Sequence, residues 1–422
     1  WLPTMVIGLV VIGWVITTPA AEYSRWENLL IAGWTALLIS LLAGTRYLGY
    51  QEIITASRPP QIWQVLLVLA FTAAIVLLLI RAKGSRTPVL WGYFALSLLI
   101  FILIKTPDLA LATSRGLHAL MGQNAGRAAA VDIRWLGYSY IAFRLIHTIR
   151  DRQSGRLPVV GLGEYVVYML FFPTLSAGPI DRVERFVVDL RKPLKLSADD
   201  FLEGGKRIIL GMFKKFVVAD ALALLAINRA AVLQTTGDGW LLLMLYAYSF
   251  QIFFDFSGYT DIAIGLGRFM GINLPENFNH PYRQVNLTQF WNNWHMTLTQ
   301  WLRAYVFFPL TRNLKRGKRK LPGWSIILIT QVVTMGLIGL WHGITPAFLI
   351  WGLWHGFGLF IQNRWSDWMR PKVAARSIHP AGHKLLSAAG VLLTFHYVTL
   401  GWAWFALPEA ADAWHVLVRL FS

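Results

Sequence analysis

The chain contains no cysteine. That excludes a disulfide framework, a thiolate metal site and a cysteine nucleophile, and it leaves the redox compartment unmarked. Charge is also scarce: 14% of residues are Asp, Glu, Lys or Arg, against roughly a quarter in ordinary soluble domains. Acidic groups are the rarer sign, 21 against 39 basic. A Walker loop, a Gly-x-Ser-x-Gly nucleophile elbow and a dinucleotide fingerprint are all missing. So is HExxH, and no bound metal is expected. No internal repeat or low-complexity tract divides the 422 residues, so 1–422 reads as a single domain.

What fills the sequence instead is apolar. Hydrophobic residues make up 56%, with 20 Trp, 25 Phe and 14 Tyr, and the mean hydropathy is +0.50. A spanning helix needs roughly 20 mostly apolar residues. Such runs lie near 2–18, 28–44, 62–81, 87–105, 158–176, 206–233, 239–256, 324–341, 344–362 and 384–407. The expected fold is an all-α polytopic membrane protein with about 11 transmembrane helices. The chain opens on Trp1 without Met, so the N-terminus is expected to be trimmed, with 2–18 as a first helix or an uncleaved signal anchor.

The net charge of +18 does not point to nucleic acid. The basic residues cluster in short loops: Arg81, Lys83 and Arg86; Arg144 to Arg156; Arg312 to Lys320; Arg364 to Arg376. This is the pattern of cytoplasmic loops and of contact with anionic lipid headgroups. The stretch 255–310 is too polar for lipid-facing helices, yet rich in aromatic rings. Such structure is tolerated at membrane depth only around protein or a water-filled cavity, so it is expected to line an internal funnel.

Two histidines stand out. His295 lies in Trp291-Asn292-Asn293-Trp294-His295-Met296-Thr297-Leu298-Thr299-Gln300-Trp301-Leu302-Arg303. Here Trp294, Leu298 and Trp301 fall on one helical face, and His295, Thr299 and Arg303 on another. The plainer reading is an amphipathic helix whose polar stripe meets headgroups, with Arg303 snorkelling. His342 follows 324–341, which carries no formal charge, and precedes Gly343. A titratable ring at membrane depth is a functional candidate by default, although a lone buried His is more often a satisfied core residue. His355, in Trp354-His355-Gly356, weakens the uniqueness of His342. A neutral imidazole, pKa about 6.5 when unperturbed, can take a proton from a hydroxyl and make it a nucleophile toward a thioester or ester.

At these residues the chain resembles the membrane-bound O-acyltransferase (MBOAT) family, over roughly 135–362. Leu136 to Arg144 and Phe172 to Arg182 resemble the membrane subunit of teichoic-acid D-alanylation. Phe254 to Ala263 and Pro275 to Asn279 are closer to the alginate O-acetylation subunit. Both branches share a Trp-His-Met/Ile-Ser/Thr-Leu helix, matched by Trp294 to Leu298, and a Trp-His-Gly, matched by Trp341 to Gly343. The resemblance puts the family's invariant-type histidine at His342 and its companion at His295. It implies a ring of helices around a thinned centre, with a cytoplasmic channel for the donor and an outer funnel for the acceptor. Asn293 stands where relatives usually carry Arg, and Ala304 where an acidic residue usually follows, so Arg303 lacks that local partner.

The expected function is O-acyl transfer, acetyl or D-alanyl, from a cytoplasmic thioester on a carrier protein or coenzyme A to a hydroxyl of an extracytoplasmic envelope polymer. No cofactor is expected to stay bound. His342 and His295 are the candidate catalytic pair. Asn292, Asp255, Trp294, Arg303 and Trp341 are candidates for binding substrate or orienting the rings. The basic loop 311–320 could dock an acidic carrier or coenzyme A phosphates, though a plain cytoplasmic loop explains it as well. An envelope accessory protein is an expected partner, in the bacterial cytoplasmic membrane. The alternatives are a transporter or flippase for a lipid-linked substrate, which often carries inverted repeats not evident here, and a scaffold whose histidines are structural.

Overall fold

The computed structural model describes residues 2–48, 59–82, 84–120, 122, 124–133, 135, 137–317, 320–374 and 379–422. Lys83, Leu136, Lys318, Arg319 and Arg376 lie outside them. The described chain is helical, without strands. Its contacts divide into two compact units, Trp1–Ser176 with Asp181–Leu194, and Ala177–Ile180 with Lys195–Ser422.

The first unit contains α1 (Leu2–Thr17), α2 (Trp26–Gly44), α3 (Ile62–Arg81), α4 (Thr87–Lys105), α5 (Pro107–Leu120), α6 (Tyr138–Gln153), α7 (Leu162–Met169) and α8 (Val183–Leu190). On α3 the side chains of Leu67, Phe71 and Leu78 are 60%, 65% and 69% exposed. An apolar surface of that extent has no place in water and identifies the face that meets lipid. Two devices fix the unit's interior. Asn28 accepts from the Leu162 amide at 2.8 Å and donates to the Glu22 carbonyl at 2.8 Å, closing the buried start of α7. The fully buried Arg144 guanidinium donates to the carbonyls of Met169, at 2.7 Å, and Thr174, at 2.9 Å.

The second unit contains α9 (Ala198–Phe213), α10 (Asp238–Phe269), α11 (Leu287–Asn293), α12 (Met296–Leu302), α13 (Phe308–Arg316), α14 (Gly323–His342), α15 (Pro346–Ala374), α16 (Pro380–Ala406) and α17 (Ala410–Phe421). Wider π-helical turns continue α9 over Lys214–Ala219 and join α12 to α13 over Arg303–Phe307. Two seams of glycine hold the long helices close. A Cβ on Gly211 would stand 2.6 Å from the Gly258 carbonyl, and one on Gly265 the same distance from that of Gly204. On the other seam, a Cβ on Gly339 would meet the Phe348 carbonyl at 2.1 Å, and one on Gly352 that of Met335 at 2.4 Å. With lipid outside there is little hydrophobic drive between helices, so close backbone packing of this kind carries the association.

Six described helical segments are long and apolar enough to cross a membrane: Trp26–Tyr47, Ile62–Arg81, Thr87–Lys105, Asp238–Phe269, Gly323–His342 and Pro380–Ala406. The remaining expected spans are shorter, broken or more polar. The 158–176 run forms only eight-residue α7 and a 3-10 turn at Phe172–Thr174, where Pro173 supplies no amide to continue a helix. In the 206–233 run the helix continues through the π-helical turn to Ala223, is broken over residues 224–228, and resumes only as the short helix Arg229–Gln234. The 344–362 run is helical from Pro346 onward, inside α15, but its Trp, Gly, His355 and Gln362 residues are those of a helix packed within protein.

Candidate active site

α11 begins at Asn286, whose side chain accepts from the Gln289 amide at 2.9 Å, a standard N-cap. It ends at Asn293, and α12 starts at Met296 after two intervening residues. The chain turns between them because His295 sits at φ 43°, ψ 54°, in left-handed backbone. Residues other than glycine uncommonly adopt this conformation, and the strain is of order 1–3 kcal/mol. Three bonds compensate: the Met296 amide donates to the Asn277 carbonyl at 2.9 Å, the Asn279 amide to the Asn293 carbonyl at 3.0 Å, and the Thr299 amide to the His295 carbonyl at 3.1 Å.

Asn277, fully buried, organises the ring. Its Oδ1 accepts from the Thr297 amide at 3.2 Å and the Thr297 hydroxyl at 2.7 Å, and lies 3.3 Å from His295 Nδ1. The amide can only donate, which fixes this atom as oxygen and makes His295 Nδ1 the protonated nitrogen. Thr297 Oγ1 in turn accepts from the Ile180 amide at 2.9 Å. The lone pair of His295 is therefore on Nε2, buried and without a hydrogen-bond partner among the described residues. The ring stands edge to face with Phe256 at 4.6 Å and with Trp341 at 6.1 Å.

Trp341 also contacts His342, with ring centroids 4.6 Å apart. The two histidines thus share one indole. His342 closes α14, where Gly343 leaves the helix in extended backbone. A Cβ on Gly343 would meet the Phe348 ring at 2.7 Å, so no side chain fits beside the histidine. Phe405, Trp351 and Phe348 complete a box around the half-buried His342 ring, at 4.8, 5.4 and 6.0 Å. Behind the box lies His355, fully buried, 5.1 Å from Trp351 and 5.2 Å from Trp291. Neither of its nitrogens has a hydrogen-bond partner among the described residues. Edge-to-face contact with the two indoles offers weak compensation.

A cavity of about 370 Å³ lies among the same helices, walled by Trp291, Thr299, Arg303, Phe308, Thr334 and Ile338 among others, with Ile338 one helical turn before His342 and neither His295, Trp341 nor His342 in its lining. It sits at the small end of ligand pockets, roughly 300–1,000 Å³. Its walls are largely apolar, but Gln331 Oε1 and Thr334 Oγ1 are buried there without partners. Trp291 belongs both to this wall and to the shell around His355.

The sequence candidates divide. His295, Trp341 and His342 form one contiguous cluster, and Arg303 joins Thr299 on the cavity wall. Trp294 does not face the cluster: it is 4% exposed, packed against Phe278, Phe290 and Trp402. Asn292 is exposed. Asp255 is 48% exposed and paired with Lys215, so its charge is spent on the α9–α10 seam. Asn277, Trp351 and Phe405 were not singled out from sequence. Only Asn277 had a signal, as the polar centre of the aromatic-flanked block 275–279.

The fold and these motifs define a polytopic helical membrane protein with paired histidines in an aromatic site. Residues 29–391 match the membrane-bound O-acyltransferase family, and the chain belongs to it. Among curated relatives, it is 37% identical to the probable alginate O-acetylase of Pseudomonas aeruginosa, over 68% of this chain and 51% of that protein. It is 34% identical to the teichoic acid D-alanyltransferase of Bacillus subtilis, over 64% and 68%, and 34% identical to the peptidoglycan O-acetyltransferase of Helicobacter pylori, over 60% and 46%. The match spans about half the length of the alginate O-acetylases.

Proposed function

We propose that this chain is an O-acyltransferase of the bacterial cytoplasmic membrane. It moves an acetyl or D-alanyl group from a cytoplasmic thioester, on a carrier protein or coenzyme A, to a hydroxyl of an extracytoplasmic envelope polymer, with an envelope accessory protein as partner. The observation that carries the reading is the sharing of the Trp341 indole by His295 and His342, on helices that also wall a cavity sized for one slender arm.

The acceptor hydroxyl gives its proton to the His342 imidazole as its oxygen forms a bond to the thioester carbonyl carbon. The C–S bond then breaks, and the departing thiolate takes a proton back. No acyl-enzyme is needed, which suits a chain without cysteine or a serine elbow. His295, with Nε2 available as an acceptor, orients the donor carbonyl's surroundings or passes the proton. Thr299 and Arg303 on the cavity wall are suited to the amide- and phosphate-bearing arm of a thioester donor.

The test is acyl transfer by the purified protein from acyl-coenzyme A or an acyl-carrier protein to a polyol acceptor. General acid–base catalysis is worth about 10²–10⁴-fold, so His342→Ala should lose at least about 10²-fold. Wild-type turnover in that variant removes the catalytic assignment. Movement of an acceptor across the membrane without covalent transfer would favour a transporter.

A further inference from the structure

A second cluster of ligand-forming groups lies in the first unit, apart from the histidine pair. His147 and Asp151 are four residues apart on α6 and so share one helical face. Glu184, in the first turn of α8, meets them. A ring nitrogen of the histidine and one oxygen of each carboxylate all lie within 4.8 Å of one another. His147 and Asp151 are 0% and 2% exposed. Glu184 Oε2 is shielded from solvent and has no hydrogen-bond partner among the described residues.

We propose that His147, Asp151 and Glu184 are three ligands of a site for a divalent transition-metal ion, Zn²⁺ or Mn²⁺. Two carboxylates brought together beside a buried imidazole match the charge and donor set of such an ion. The imidazole also disfavours Mg²⁺ and Ca²⁺, which take oxygen ligands. The His147 ring is held by the Phe143 backbone one turn back, the kind of second contact that orients a metal-binding histidine. Tyr168 packs against it edge on at 5.8 Å. The amide of Val183 reaches His147 Nε2 only at 3.4 Å, a long bond that a metal would replace.

The cluster already has cationic neighbours. Arg156 pairs with Asp151 Oδ1 at 2.9 Å, and Arg182 approaches Glu184 Oε1 at 3.6 Å. Both guanidinium side chains are well exposed, 61% and 42%. Each can therefore turn into solvent as an ion enters, leaving the carboxylates to it. The remaining coordination positions would fall to water.

The experiment uses the full chain purified in detergent, stripped with chelator and offered Zn²⁺ or Mn²⁺ alone. Bound metal is counted by mass spectrometry, and Mn²⁺ is titrated by loss of its free-ion EPR signal. About one ion per chain is expected, with Mg²⁺ unable to compete at equal concentration. Glu184→Gln should weaken binding at least about tenfold, and His147→Gln should abolish it. Because His147 is a core residue, the partly exposed Glu184 carries the test if the histidine variant fails to fold. The proposal is overturned if the wild type retains no stoichiometric ion, if Mg²⁺ competes equally, or if folded Glu184→Gln binds as tightly as wild type.

Discussion

Asn277 is one carboxamide oxygen serving three donors on the turn that carries His295. Removing it strands the Thr297 amide and hydroxyl in the interior, at about 1–3 kcal/mol for an unsatisfied buried group, and frees the His295 ring to change tautomer. Asn277→Ala should therefore lower acyl transfer by about 10²-fold through misplacement, with little change in donor KM and a lower melting temperature. Asn277→Asp keeps an acceptor for all three donors, so it should melt closer to wild type than the alanine variant. Equal melting and equal turnover in the two variants would contradict this. The histidines were legible in the sequence because each interrupts an apolar context. The role of Asn277 was not, since it arises from a contact 18 residues away across an irregular segment. Asp255 shows the converse limit of sequence. A carboxylate in an apolar run looks functional until the fold supplies Lys215, 40 residues earlier, as its partner.

The helices α14 and α15 bring His342 to Trp351 and Phe348, and they can do so only at the separation their glycines permit. Gly352→Ala would put a methyl group 2.4 Å from the Met335 carbonyl, which backbone must yield to accommodate. Overpacking of this kind costs about 1–3 kcal/mol, and the displaced Trp351 should reduce activity as well. Gly92 in α4 has nothing within 4 Å of an added Cβ. Gly92→Ala should be neutral or stabilising, by up to about 1 kcal/mol, since Ala loses less backbone entropy in a helix. Thermal melts of the two variants in detergent, read beside their turnover, check the contrast; matching losses would remove the seam from the account. Hydropathy marked α2, α3, α4, α10, α14 and α16 well, because lipid-facing helices are uniformly apolar. It failed at 158–176 and 206–233, where Pro173 and the non-helical residues 224–228 interrupt the helix in a way average hydropathy does not mark. It also could not show that α11 and α12 are separate, because the break is a backbone conformation at His295 that composition does not signal.

Across the second unit, charge and helix direction together predict which end faces the cytoplasm. The basic residues Arg312, Lys315 and Arg316 close α13, just before α14 begins, and Arg364, Arg370 and Lys372 end α15. Two antiparallel helices thus carry their positive charge at one end, while His342, Gly343 and Thr345 occupy the other. The positive-inside rule predicts that the basic end faces the cytoplasm, which would require α16 to return the chain to the outer side at Glu409. The absence of cysteine makes this directly measurable, because any introduced thiol is unique. Arg316→Cys and Arg370→Cys, both at exposed positions, should react with a membrane-impermeant maleimide only in inverted vesicles. Glu409→Cys, also exposed, should react only in intact cells or right-side-out vesicles. Labelling of all three from one side would mean that α16 does not cross. A full reversal would turn the histidine end toward the cytoplasm, leaving an extracytoplasmic acceptor on the wrong side of His342.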